Sequence, residues 1–114
     1  MIKPSFPRPD SLTGRALARL MQEHRFTHRE YQSQTASYRL SSYIEQLRKR
    51  HNWIIQTDYE EAPTSDPTGR NATYGRYSIE PELLAEYRKQ LGERFGGFIE
   101  SVSKFENGGT NGRT

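Results

Sequence analysis

Apolar residues in this chain fall into helix-spaced stripes at both ends, with an alternating, strand-like run between them. Leu12, Ala16, Leu17, Leu20 and Met21 recur at steps of three and four, which predicts a first helix over about 12–24 with Ser11 as its cap. In "THRE", Thr27 to Glu30, a cap hydroxyl precedes a Glu by three residues. Each side chain of such a pair can satisfy an orphan backbone N–H, so a short second helix is predicted over about 28–33. Thr35 offers another cap, and Ala36, Leu40, Tyr43, Ile44 and Leu47 form the inner stripe of a third helix over about 36–50. The turn between the two helices is then "SQT", residues 33–35. From residue 53 the period changes to two. "WIIQTDY" and "TYGRYSI" read as paired strands over 53–59 and 73–79, joined by the Pro- and Gly-containing loop "EEAPTSDPTGRNA". Pro81 opens a last helix over about 81–94, with Leu83, Leu84, Tyr87 and Leu91 on its inner face.

The ends are less regular. "MIKPSFPRPD" has three prolines and reads as a flexible arm over 1–10, and "ENGGTNGRT" reads as a disordered tail over 106–114. The predicted domain therefore covers 11–94. Between it and the tail, "RFGGFIESVSKF" has helical spacing at Phe95, Phe98, Ile99 and Val102, but Gly96 and Gly97 interrupt it, so 95–105 is an extension of unassigned structure.

This order defines an α+β chain. A short helix, a tight turn and a longer helix make a helix-turn-helix, and two strands directly after it make a β-hairpin wing. The expected fold is a winged helix-turn-helix with three helices, a hairpin wing and an extra C-terminal helix. The stretch "ALARLM…FTHREYQSQTASYRLSSYIEQLRKRHNWIIQT…GRYSI" resembles the small winged helix-turn-helix proteins of bacteriophages and prophages over about residues 12–80. The resemblance implies a DNA-binding regulator of transcription or an accessory protein, without saying which phage process it serves. Two features depart from that pattern: the wing begins with acids, "DYEEA", and a further helix and Phe-rich stretch follow it.

Composition narrows the picture. The chain has 114 residues, 32% of them hydrophobic, and no cysteine. Disulfides and thiolate metal sites are excluded, and a reducing compartment fits. No apolar run approaches the ~20 residues a membrane span needs, and the N-terminal stretch lacks a signal-peptide core. The expectation is a cytoplasmic protein of a bacterial or phage-infected cell, with no membrane partner. The charge is uneven. Residues 13–50 carry eight Lys/Arg against three acids, whereas 56–68 carry four acids and no base. A basic half of this kind predicts a polyanion facing it.

The candidate site follows from these two lines. Ser37, Tyr38, Ser41 and Ser42 lie on the outer face of the third helix near its start, where hydroxyls reach phosphates or base edges. Arg39 is either a bidentate guanine contact or half of an internal ion pair. Gln34 and Thr35 fall in the turn, where Thr35 caps the helix, touches a phosphate, or does both. His28 and Arg29 open the second helix, whose free N–H groups favour an anion. Arg48, Lys49 and Arg50 close the third helix, where cations complement its dipole with or without DNA. In the wing, Arg70, Asn71, Thr73 and Arg76 are the candidates. Trp53, Tyr43, Tyr77 and Tyr87 are expected in the core. Lys3 and Arg8 on the arm either reach a phosphate backbone or belong to a free tail. Catalytic, cofactor and metal motifs are not seen: His24, His28 and His51 have no zinc spacing, and no phosphate loop or dinucleotide glycine motif is present. The expected activity is non-enzymatic, sequence-specific binding of double-stranded DNA. The rival is a winged-helix module that binds another protein, antirepressor-like or recruiting replication factors, through the acidic wing and the last helix. That helix and the Phe-rich stretch either complete the core or form a homodimer or partner surface.

Overall fold

The computed structural model describes residues 3–63, 65 and 67–111. They form an α+β structure in the order α1 (Leu12–Met21), β1 (Phe26–Thr27), α2 (His28–Thr35), α3 (Leu40–Lys49), β2 (Gln56–Pro63), β3 (Asn71–Ser78), α4 (Pro81–Leu91) and α5 (Glu93–Asn111). The sheet is antiparallel with β3 in the centre, flanked by β1 and β2. No helix among the described residues is long and apolar enough to cross a membrane.

Local signals set most helix starts. The Ser11 hydroxyl accepts the Gly14 N–H at 2.9 Å and begins α1. Gly14 is required there, because a β-carbon would run into the Arg8 carbonyl oxygen. Thr27 and Glu30 exchange the two capping-box bonds that begin α2. Pro81 occupies the first turn of α4. The α1 helix stops three residues before the predicted end. Glu23 turns left-handed at φ 65°, and the His24 and Glu23 N–H groups bond back to Arg19 and Leu20.

The start of α3 differs from the expectation. Thr35 does not cap it: Thr35 is the last residue of α2, and its hydroxyl bonds back to the Tyr31 carbonyl at 2.8 Å. Ala36 then adopts the left-handed conformation at φ 60°, and α3 begins only at Leu40. The connecting turn is therefore 36–39 rather than 33–35. Ser37 organises it by bonding the Tyr43 hydroxyl at 2.8 Å and accepting the Arg39 N–H at 3.4 Å.

The core lies between the helices and the sheet. Leu17, Leu20 and Met21 of α1, Leu40, Ile44 and Leu47 of α3, and Trp53, Ile55 and Ile79 are all buried. Tyr87 and Trp53 meet edge-on at 4.6 Å, and the Tyr87 hydroxyl accepts the Ile54 N–H at 3.0 Å. Residues 53–55, expected in a strand, instead precede β2, with Trp53 and Ile55 in the core and Ile54 exposed. The Trp53 indole donates to the Ser5 carbonyl at 2.7 Å, a bond that holds it out of the ladder.

Both ends of the chain depart from expectation. The arm is not free: Pro4 is buried, Phe6 stacks on Phe98 at 4.7 Å, and Ser5 bonds the His51 ring and carbonyl. Gly96 and Gly97 do not break the last helix. Gly92, at φ 58°, ends α4, and α5 then runs without a break from Glu93 to Asn111. Phe95, Phe98 and Val102 bury one face of it, and that packing overrides the weak helix propensity of the glycines. Residues 106–111, expected in a disordered tail, are helical, whereas 112–114 lie outside the described residues. The Phe-rich stretch thus completes the core through Phe95, Phe98 and Val102, and leaves Phe105 exposed.

Candidate nucleic-acid interface

The outer face of α3 follows from its inner one. With Leu40, Ile44 and Leu47 buried, the helical repeat turns Ser41, Ser42, Glu45 and Lys49 to solvent. Ahead of them the 36–39 turn projects Tyr38, which is 77% exposed, and Arg39. Among the described residues the Tyr38 hydroxyl and the Arg39 guanidinium have no hydrogen-bond or ion-pair partner. Both residues precede α3 and do not lie on its first turn, because the helix begins later than the sequence predicts. Ser41 and Ser42 stand on that first turn, where the expectation placed them.

The other predicted residues divide by what already holds them. Gln34 lies on the last turn of α2, where its amide oxygen accepts Arg19 Nε at 2.6 Å. Thr35 and Ser37 are engaged within the turn as described. Lys49 is 3.7 Å from Glu45, one turn earlier on the same helix. Arg48 reaches across to the Ile55 carbonyl at 2.6 Å and the Thr57 hydroxyl at 2.8 Å, bracing α3 against β2. This packing role adds to the dipole effect predicted for it. Arg50 has no carboxylate partner among the described residues and extends the exposed cationic end of α3.

The start of α2 faces β3 across a groove lined by Arg29, Ser33, Ala62 and Tyr74 together with a charged network. The Arg29 guanidinium lies 5.1 Å over the Tyr74 ring and donates to its hydroxyl at 3.0 Å. His28 meets the same ring at 5.8 Å. Tyr74 was not among the residues expected at the site. Its signal was the alternation in "TYGRY", which puts Tyr74 and Arg76 on one face of the strand.

Arg76 was expected to contact DNA from the wing, but in the free chain its donors are turned inward. It donates to both oxygens of Glu60 (2.7 and 3.1 Å), both oxygens of Glu30 (3.0 and 3.3 Å) and the Arg25 carbonyl (2.9 Å). A guanidinium has five N–H donors, so none is left for a phosphate. Hydrogen bonds to Glu60 and Glu30 raise the Arg76 pKa, and the same bond lowers that of Glu60. Asn71 donates to Glu61 at 3.2 Å within the hairpin, and Arg70 and Thr73 are exposed beside it.

The basic half is therefore smaller in three dimensions than along the chain. Arg15 and Arg19 both meet Glu106, at 2.8 and 2.9 Å, and Arg25 meets Asp58 at 3.1 Å. Burial pushes the Glu106 carboxyl up, but the two arginines outweigh it and hold its pKa below the ordinary value. Desolvation pushes the phenol of Tyr31, under Arg19, up to about 12. Of the predicted cations, Arg29, Arg39 and Arg50 keep their charge turned outward without a carboxylate partner among the described residues. The acids of β2 are themselves engaged: Asp58 by Arg25, Glu60 by Arg76 and Glu61 by Asn71. No protein-family model matches the chain, and no significant similarity to a curated protein or a solved structure is found.

Proposed function

We propose that this chain is a winged helix-turn-helix protein that binds double-stranded DNA, with α3 as the reading helix and the β2–β3 hairpin as its wing. The observation that carries the reading is the pair Tyr38–Arg39: an exposed aromatic and a guanidinium without a partner among the described residues, set directly ahead of a helix whose first turn bears two exposed serines. An α2–turn–α3 unit followed by a hairpin supports it, as does a short strand between α1 and α2 that joins the sheet beside β3. In this reading Arg39 reaches a base edge or a phosphate, Ser41 and Ser42 supply hydroxyls, and Arg29, braced on Tyr74, meets the backbone beside the start of α2. The regulatory, phage-type role belongs to this proposal.

The test is a fluorescence-anisotropy titration of a random-sequence duplex at two salt concentrations. Binding that weakens steeply with salt, and is lost in the Tyr38→Ala/Arg39→Ala double variant, supports the reading. Absence of binding at low salt overturns it. One observation favours the protein-binding alternative: Tyr59 stands 74% exposed among the acids of β2. Under that alternative Tyr59→Ala, and not the double variant, removes binding to a partner. Phe98 cannot serve in it, because it is buried against Phe6.

A further inference from the structure

Arg15 and Arg19 lie one helical turn apart on α1, so their side chains reach the same side. Both guanidiniums end on one oxygen: Arg15 Nε is 2.8 Å and Arg19 Nη2 2.9 Å from Glu106 Oε2. Aromatic rings back the two arginines, Tyr31 at 5.5 Å from Arg19 and Phe105 at 5.9 Å from Arg15. Two planar donors converging on a single oxygen, partly withdrawn from water, form a place for an oxyanion.

The group that fills it now is weakly fastened. Val102 is the last buried apolar residue of α5; after it Ser103, Lys104, Phe105, Asn107 and Gly108 are exposed. The run "SKFENGG" is a poor helix former, so this end of α5 leans on the Glu106 ion pairs. The site also adjoins the α2–α3 unit. Arg19 bonds Gln34 on the last turn of α2, and the Tyr31 ring meets Tyr43, whose hydroxyl holds Ser37 in the turn.

We infer that Arg15 and Arg19 form a second phosphodiester-binding site, occupied in the free chain by Glu106 and yielded to the duplex backbone on docking. The inference rests on the DNA-binding reading and adds a regulatory element to it: the end of α5 lowers DNA affinity by masking two cations. A phosphate that displaces Glu106 keeps both arginines paired and frees the carboxylate to water.

The full-length chain and its Glu106→Gln variant are titrated with a labelled random-sequence duplex. Gln retains the shape and removes the charge that competes with phosphate. The parent chain must displace Glu106 on docking and the variant need not, so the variant binds more tightly at the lower salt with a slope of log affinity against log salt close to the parental one. Adding Arg15→Gln and Arg19→Gln to the variant removes two phosphate contacts and makes the slope shallower than the parental value by about 1.8, so that roughly tenfold less affinity is lost between about 50 and about 200 mM salt. The gain in affinity at the lower salt is lost with it. Fraying of α5 in Glu106→Gln does not confuse the result, because both arginines stay on α1. Equal affinities for the parent and Glu106→Gln, or a slope unchanged by loss of both arginines, overturn this inference and leave the DNA-binding reading standing. A gain that survives removal of both arginines also overturns it. No binding by either chain at low salt removes the reading and the inference together.

Discussion

The turn between α2 and α3 and the junction between α2 and the hairpin are both polar, yet they are assembled in opposite ways. At the junction, Arg76 joins Glu30 of α2 to Glu60 of β2, and every donor it owns is taken. Its charge fixes the angle between two elements and offers nothing outward. At the turn, Ser37 accepts the Arg39 N–H and bonds the neighbouring Tyr43 hydroxyl, while the Tyr38 and Arg39 side chains project. Both regions add a cation to the chain's charge, but only one presents it. Charge along a sequence counts cations; available charge depends on which of them found a carboxylate.

The strongest test of this contrast is on binding. Tyr38→Ala/Arg39→Ala should cost about 2 kcal/mol of DNA affinity, roughly thirtyfold, if Arg39 makes a bidentate contact. The melting temperature should stay close to the parental value, since neither side chain packs on anything. Arg76→Met should do the reverse. It leaves Glu30 and Glu60 facing each other without their shared guanidinium at the half-exposed junction and should lower stability by up to about 1 kcal/mol, read as a drop in the urea midpoint. A variant that melts normally would show that the junction does not hold the hairpin in place.

Smaller effects sharpen the same comparison. Ala36 sits left-handed at the start of the turn, so Ala36→Gly should relieve strain and raise stability by about 0.5 kcal/mol, after the greater freedom that glycine has in the unfolded chain is discounted. Thermal melts of the two proteins decide it. The pH response should be smaller still. Glu60 and Glu106 both have folded pKa values held below the ordinary carboxylate value. Their contribution is therefore present above the unfolded value, near 4.5, and lost as pH falls through the lowered values. Acid titration followed by circular dichroism should show this loss, and the Glu60 part of it should be missing in Arg76→Met.

Much of the fold was legible because its signals are local. Ser11, the Thr27–Glu30 capping box and Pro81 each act on backbone groups within a turn of themselves, so their positions announced α1, α2 and α4. The stripe Leu40, Ile44 and Leu47 identified the buried face of α3, and with it the outward serines. Thr35 misled because a threonine at a helix boundary can bond forward as a cap or backward to a carbonyl, and the choice of the latter put Tyr38 and Arg39 in the turn. The strand β1 was missed because two residues carry no period; they pair only because β3 lies alongside. The glycines and asparagines after Phe95 correctly signalled weak helix propensity, but not the packing of Phe95, Phe98 and Val102 that overrides it.

The chain's own order of residues thus announces α1, α2 and α4, the buried stripe of α3 and the pairing of the hairpin, since capping and periodicity operate over a few neighbouring positions. The pairing of its charges was decided elsewhere. Arg15 and Glu106 are 91 residues apart, and Arg76 and Glu30 are 46 apart. No local pattern links such residues; they meet because the packing of the apolar faces brings α5 against α1 and the hairpin against α2. Which arginines remain turned to solvent, and so which surface can receive a polyanion, is a property of that packing alone.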